Sequence, residues 1–174
     1  LRKKTFIKFY EMGEAHLGGS FSMIELLVFI KKVTMQKNDK FILSKSHASL
    51  PYLLMLKDQG FNPELKTHLE IDKKNLIHCT TGSLGHGLPV SVGIAMANKF
   101  SKKKSKVFVL ISDGECQEGT TWESLLLINK FKLNNLIILV DYNKVQALTS
   151  LKDGLPLDNL QKKFTAFNLN VINI

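Results

Sequence analysis

Two apolar runs constrain this chain more than anything else in it: Val107-Phe108-Val109-Leu110-Ile111 and Leu136-Ile137-Ile138-Leu139-Val140. Each reads as a buried strand, and residues 119–132 between them read as a helix, so the interval is a βαβ unit. Each run ends in polar punctuation: Ser112-Asp113-Gly114 closes the first, and Asn143 follows the second. Both then lie at the carboxyl ends of parallel strands, where open α/β sheets bind ligands. An acid and an amide side by side there, with a glycine leaving room for close approach, suit a hard divalent cation that holds a diphosphate. The same residues also have a plainer reading, with Asp113 capping the next turn and Asn143 in a loop.

The rest of the chain fits one domain of this class, spanning 1–174. An amphipathic helix is expected over 3–13, a loop over 18–22, and a helix over about 23–33 that Ser22 caps, with Glu25 in its first turn. Phe41-Ile42-Leu43-Ser44 is a short buried strand, and a helix over about 48–59 stops at Gly60. Residues 61–81 are irregular, a helix over about 89–100 follows, and a helix over about 158–167 leads to a last strand, Val171–Ile174. The fold class is α/β, a parallel sheet with helices on both faces. A strand completed at the final residue leaves no helix to cover it, so the expectation is a chain truncated at its C-terminus or covered by another polypeptide.

At 174 residues, 44% hydrophobic and 22% charged, the composition is that of an ordinary globular domain. The net charge of +9 is carried by scattered lysines, with Arg2 the sole arginine, which argues for a solvated surface and against nucleic-acid binding. No apolar run approaches the roughly 20 residues of a membrane span. Cys79 and Cys116 are too few for a disulfide framework or a zinc site, and free thiols place the chain in a reducing cytoplasm.

Two further features carry chemistry. Gly82-Ser83-Leu84-Gly85-His86-Gly87 is a glycine-rich helix entry whose backbone N–H groups can approach a ligand. Of five histidines, His16, His47 and His86 stand beside or within glycine- or serine-rich loops, where several together can bind phosphate or shuttle protons. Glu115 and Glu118 sit near a helix start, where the dipole favours acids, and Trp122 reads as packing.

Five stretches in order resemble the thiamine-diphosphate-binding half of transketolases, especially the split form whose halves are separate chains. They are Gly13–Ser22, Phe41–Ala48, Thr80–Leu88, Ser112–Gly119, and Lys132–Leu136 running on to Asp141-Tyr142-Asn143-Lys144. The resemblance implies that Asp113 and Asn143 ligate magnesium or calcium through their side chains, and Val145 through its carbonyl. It implies that Gly114 admits the diphosphate, His47 contacts it, and Gly82 and Leu84 lie against the cofactor's middle. His16 would face the sugar, His68 matches another sugar-contacting histidine, and Glu118 helps join the two halves.

The implied activity is transfer of a two-carbon ketol unit from a ketose or its phosphate to an aldose or its phosphate. It requires a C-terminal, pyrimidine-binding partner, in an α2β2 assembly, because the activating glutamate has no candidate here. Alternatives within the superfamily are a deoxyxylulose-phosphate synthase or 2-oxo-acid dehydrogenase fragment; outside catalysis, a remnant or assembly module. Two departures stand out. Ser46 and Ser112 replace glycines usual in the family, and both are expected to add a side chain near the diphosphate and to weaken or alter its binding.

Overall fold

The computed structural model describes residues 1–146, 150 and 153–174. Its centre is a three-stranded parallel sheet in the order β1 (Lys40–Leu43), β2 (Val107–Ser112), β3 (Leu136–Asp141). Every residue of β2 is buried, and the pleat sends its side chains alternately to two cores. Val107, Val109 and Ile111 pack with α5 (Gly87–Phe100), α6 (Gly119–Phe131) and α7 (Leu160–Ala166). Phe108 and Leu110 pack on the other face with α3 (Ile24–Phe29) and α4 (Ser49–Asp58). Helices on both faces of a parallel sheet are as the sequence predicts.

Register positions the site. Leu43 pairs with Leu110, and Ser112 pairs with Asp141. The chain therefore leaves all three strands at one edge, with Ser44, Asp113 and Asn143 just beyond it. The amide of Ser44 still bonds to Leu110 O (2.9 Å), and that of Asp113 to Asp141 O (3.2 Å). The ladder thus extends one residue into the functional loops and fixes their starting points.

Helix α1 (Arg2–Met12) ends at Gly13, whose φ of +64° and amide bonds to Phe9 and Tyr10 make a left-handed cap. Three sequence expectations fail. Residues 17–21 form a short helix, α2 (Leu17–Phe21), instead of a loop. Two adjacent glycines disfavour helix, but Gly19 is pressed to a ring: a Cβ there would lie 3.3 Å from His47. Its carbonyl also accepts from Lys45 Nζ (2.9 Å), so tertiary contact overrides propensity.

Ser22 does not cap α3. Met23 occupies that position with no side-chain bond, because the Ser22 hydroxyl donates to Asp141 Oδ2 (2.5 Å). Finally, Val171–Ile174 is not a strand. Ile172 and Ile174 are exposed, and no described strand pairs with the outer edge of β3.

Candidate active site at the carboxyl edge of the sheet

The Asp113 carboxylate is 2% exposed. Its Oδ1 accepts from the Gly114 amide (2.8 Å), capping a 3-10 turn (Gly114–Gln117), and its Oδ2 accepts from the Lys144 amide (2.7 Å). That second bond draws the loop after β3 onto the loop after β2, so Asp113 and Asn143 are neighbours. Asn143 Oδ1 accepts from the Val145 amide (2.9 Å). The capping reading of Asp113 is therefore realised, yet each oxygen has one donor and two lone pairs, which leaves acceptor capacity. The resulting set is carboxylate oxygen, amide oxygen and nearby carbonyls, the ligands a hard cation takes. Burial raises the Asp113 carboxyl above its ordinary value, opposed by the Lys144 and Gly114 amides, and a bound cation would reverse that shift.

A group of histidines gathers at the same edge of the sheet, around the turn that follows β1. His16, at φ +66° before α2, has its ring 5.5 Å from that of His47. His68, at φ +60°, lies against Gly82, where a Cβ would sit 3.2 Å from its ring. His47 occupies a 3-10 turn (Ser46–Ala48) that begins right after β1. Burial first, then the charges of Lys45, His16 and His68, pushes the His47 imidazole down to about 4. It is therefore neutral at pH 7 and has one N–H to donate.

The structure thus joins two of the loop histidines, His16 and His47, and adds His68, whose place the local pattern left open. His86 is exposed at the start of α5, and His78 lies in a separate region among Lys31, Lys40 and Lys73. Leu84 is partly exposed on the glycine loop, and the Val145 side chain is largely exposed.

The histidine shifts carry a pH consequence. His47 and His78, both pushed down to about 4, stay neutral in the fold while the unfolded chain protonates them below about pH 6.5. The unfolded state then binds more protons, so stability falls as pH drops from 6.5 to 4. Both rings keep contact with water, which discounts the combined loss to on the order of 2 kcal/mol. Asp113 and Glu115, with raised carboxyl values, act in the opposite sense. A paired comparison isolates the histidines: urea midpoints of His47→Asn should fall less steeply with pH than those of the wild type, and equal slopes would refute the assignment.

Two buried polar clusters that the sequence reading missed brace the site. Lys45, 1% exposed, bonds to Asp141 Oδ2 (2.5 Å) and to Gly19 O (2.9 Å), tying the end of β3 to α2. Glu115 is fully buried and takes four donors: the Ser44 hydroxyl, the Gly85 amide (3.1 Å), the Ser112 amide (2.9 Å) and, at longer range, the Ser112 hydroxyl (3.5 Å). It joins the ends of β1 and β2 to the glycine loop. The dipole reading suits only its exposed neighbour Glu118, which precedes α6.

This corrects the glycine-loop expectation for two positions. The Gly85 amide serves Glu115 and the Gly87 amide serves Ser44 Oγ (3.1 Å), so neither is free for a ligand. Gly85, at φ +80°, is required because a Cβ would come within 2.8 Å of Glu118 and closer to Thr120. The hydroxyls of the two unusual serines also turn inward. Ser46 Oγ accepts from the Leu69 amide (2.5 Å), and Ser112 Oγ from the Glu115 amide (3.3 Å). The other readings hold locally: Trp122 stacks near Phe164 and Phe167, and both cysteines are free and buried. Among the described residues, no helix is long and apolar enough to cross a membrane.

Comparison with known proteins agrees with this geometry. Residues 11–174 match the family model "Transketolase, thiamine diphosphate binding domain". An apulose-4-phosphate transketolase subunit of Actinobacillus succinogenes is 38% identical over 90% of this chain and 64% of its own length. A 6-deoxy-6-sulfo-D-fructose transketolase subunit of Clostridium sp. is 30% identical over 100% of this chain and 71% of its own. The chain thus spans about two thirds of the length of these relatives. Transketolase from Leishmania mexicana superposes with a TM-score of 0.78 over 92% of this chain and 28% of that one, at 21% identity, a likeness of fold. With the matching model reaching from Glu11 to the last residue, the chain belongs to the transketolase family through its thiamine diphosphate binding domain.

Proposed function

We propose that this chain is the N-terminal subunit of a split transketolase. It holds the metal–diphosphate end of thiamine diphosphate, and a C-terminal partner supplies the pyrimidine-binding half, in an α2β2 assembly. Together they move a two-carbon ketol unit from a ketose or its phosphate to an aldose or its phosphate. The observation that carries this reading is the gathering of Asp113, Asn143, His16, His47 and His68 at one sheet edge. The relatives' names support it. Both bacterial relatives are called transketolase subunits, which points to a partner chain. Their named sugars, apulose 4-phosphate and 6-deoxy-6-sulfo-D-fructose, point to a substrate that carries an anionic group. Two buried free thiols support a reducing, cytoplasmic location.

Thiamine diphosphate, when bound, supplies the carbon nucleophile and electron sink for breaking and making the carbon–carbon bond. The chain's own residues bind and orient. Asp113 and Asn143, with the Val145 carbonyl, hold magnesium or calcium. Gly114 keeps the approach to the diphosphate open, and the neutral His47 donates an N–H to it. Gly82 and Leu84 line the cofactor's middle. His16 and His68 face the sugar, where each can hold or move a proton at a substrate hydroxyl. Glu118, exposed before α6, meets the partner.

Calorimetry with thiamine diphosphate and magnesium, with the partner present, tests this. Binding should require the metal, and Asp113→Ala should weaken it by more than about tenfold, the cost of losing even an outer-shell partner. Metal-independent binding, or full affinity in Asp113→Ala, would sink the metal assignment. No binding at all would leave the chain as an assembly module.

A further inference from the structure

His68 occupies a backbone region that disfavours side chains, at φ +60°. Something must hold it there, and the bonds to its segment show what does. The Ser46 carbonyl accepts from the His68 amide (3.3 Å), and the Ser46 hydroxyl accepts from the next amide, that of Leu69 (2.5 Å). One residue thus fixes two consecutive peptide groups, one on each side of the left-handed turn. The flanks are secured separately: the Ser49 hydroxyl donates to Lys66 O (2.6 Å), and the Thr81 amide donates to Leu69 O (3.0 Å). Across the segment, Gly82 leaves the His68 ring room to lie flat.

We propose that Ser46 is a positioning residue for His68, and that its hydroxyl, turned away from the diphosphate edge, orients the sugar-facing ring. The sugar-facing role rests on the function proposed above; the positioning does not. Ser46 is 1% and Leu69 2% exposed, so the bond between them is made out of water. A glycine at 46, the residue usual in the family, would keep the carbonyl bond and lose the hydroxyl one. The Leu69 amide would then be buried without an acceptor, and the loop would relax away from it. Ser46 also directly precedes His47, so the hydroxyl couples two histidines of the site through one turn.

The test is amide exchange and imidazole NMR on the full chain, compared among wild type, Ser46→Gly and Ser46→Thr. In Ser46→Gly the Leu69 amide should exchange about tenfold faster or more, while amides of β2 keep their rates. The His68 ring resonances should shift, and threonine, which restores the hydroxyl, should return both the Leu69 rate and the ring signals to wild-type values. An unchanged Leu69 rate and unchanged His68 signals in Ser46→Gly would overturn the proposal. If Ser46→Gly does not fold, the wild type and Ser46→Thr decide: fast Leu69 exchange in the wild type would overturn it, and slow exchange in both would uphold it. In the complex with its partner, an altered His68 signal accompanied by a raised KM for xylulose 5-phosphate would support both readings. The same signal change with KM and kcat unmoved would uphold the positioning and remove His68 from the sugar site.

Discussion

Lys45→Met should destabilise the fold by about 3–5 kcal/mol, the cost of breaking a buried ion pair by removing one partner. Methionine fills a similar volume, so the loss is electrostatic rather than a cavity. Asp141, only 8% exposed, would keep the Ser22 hydroxyl and lose its counter-charge. Gly19 O would lose its donor as well. Because Lys45 follows β1, Asp141 ends β3 and Gly19 lies in α2, the loss falls on three walls of the site at once.

The pair's own worth is a separate question, since two desolvated charges repay their cost only with good geometry. Lys45→Met with Asp141→Leu removes both charges and should recover much of the stability lost in the single variant. A double-mutant cycle read by urea unfolding gives the coupling directly. A single variant within about 1 kcal/mol of wild type would show that Asp141 finds other compensation.

The frame of the site was legible because its signals are local. The runs at 107–111 and 136–140 predict β2 and β3, and the polar residues within two positions of each strand's end, Asp113 and Asn143, predict what stands at the sheet edge. What was not legible depends on residues far apart. Lys45 and Asp141 are 96 positions apart, and nothing in the spacing of either marks a pair. Glu115 and Glu118 look alike in sequence, and only burial separates a brace from an exposed helix start.

The α2 segment reads as loop because its glycines are poor helix formers, while His47 and Lys45 hold it from outside. The misread strand at 171–174 fails for the complementary reason. Apolar alternation there meets the local condition for a strand, but a strand needs an edge to pair with, and no described strand takes this one.

Glu115→Ala should cost a comparable amount, about 3–5 kcal/mol, but by a different physical route. Alanine leaves the Ser112 and Gly85 amides and the Ser44 hydroxyl without their shared acceptor, each buried donor costing about 1–3 kcal/mol with incomplete addition. Glu115→Gln separates charge from acceptor geometry. Its one amide oxygen can still serve Ser44 and Gly85, but its NH2 group would face the Ser112 amide, donor against donor. The expected order of stability is therefore wild type, glutamine, alanine. Burial also raises the Glu115 carboxyl, so the fold takes up this proton more readily than the unfolded chain does. For this group the stabilisation is present below the unfolded value and is lost as pH rises through the folded one. In Glu115→Gln that component is absent, so the variant's deficit should be smaller at pH 7 than at pH 4. The functional readout follows from the three elements the carboxylate joins. With the ends of β1 and β2 uncoupled from the glycine loop, magnesium-dependent thiamine diphosphate binding by the complex should weaken by about tenfold or more in Glu115→Ala. Unchanged affinity in a folded Glu115→Ala complex would show that the cofactor edge is held without this brace.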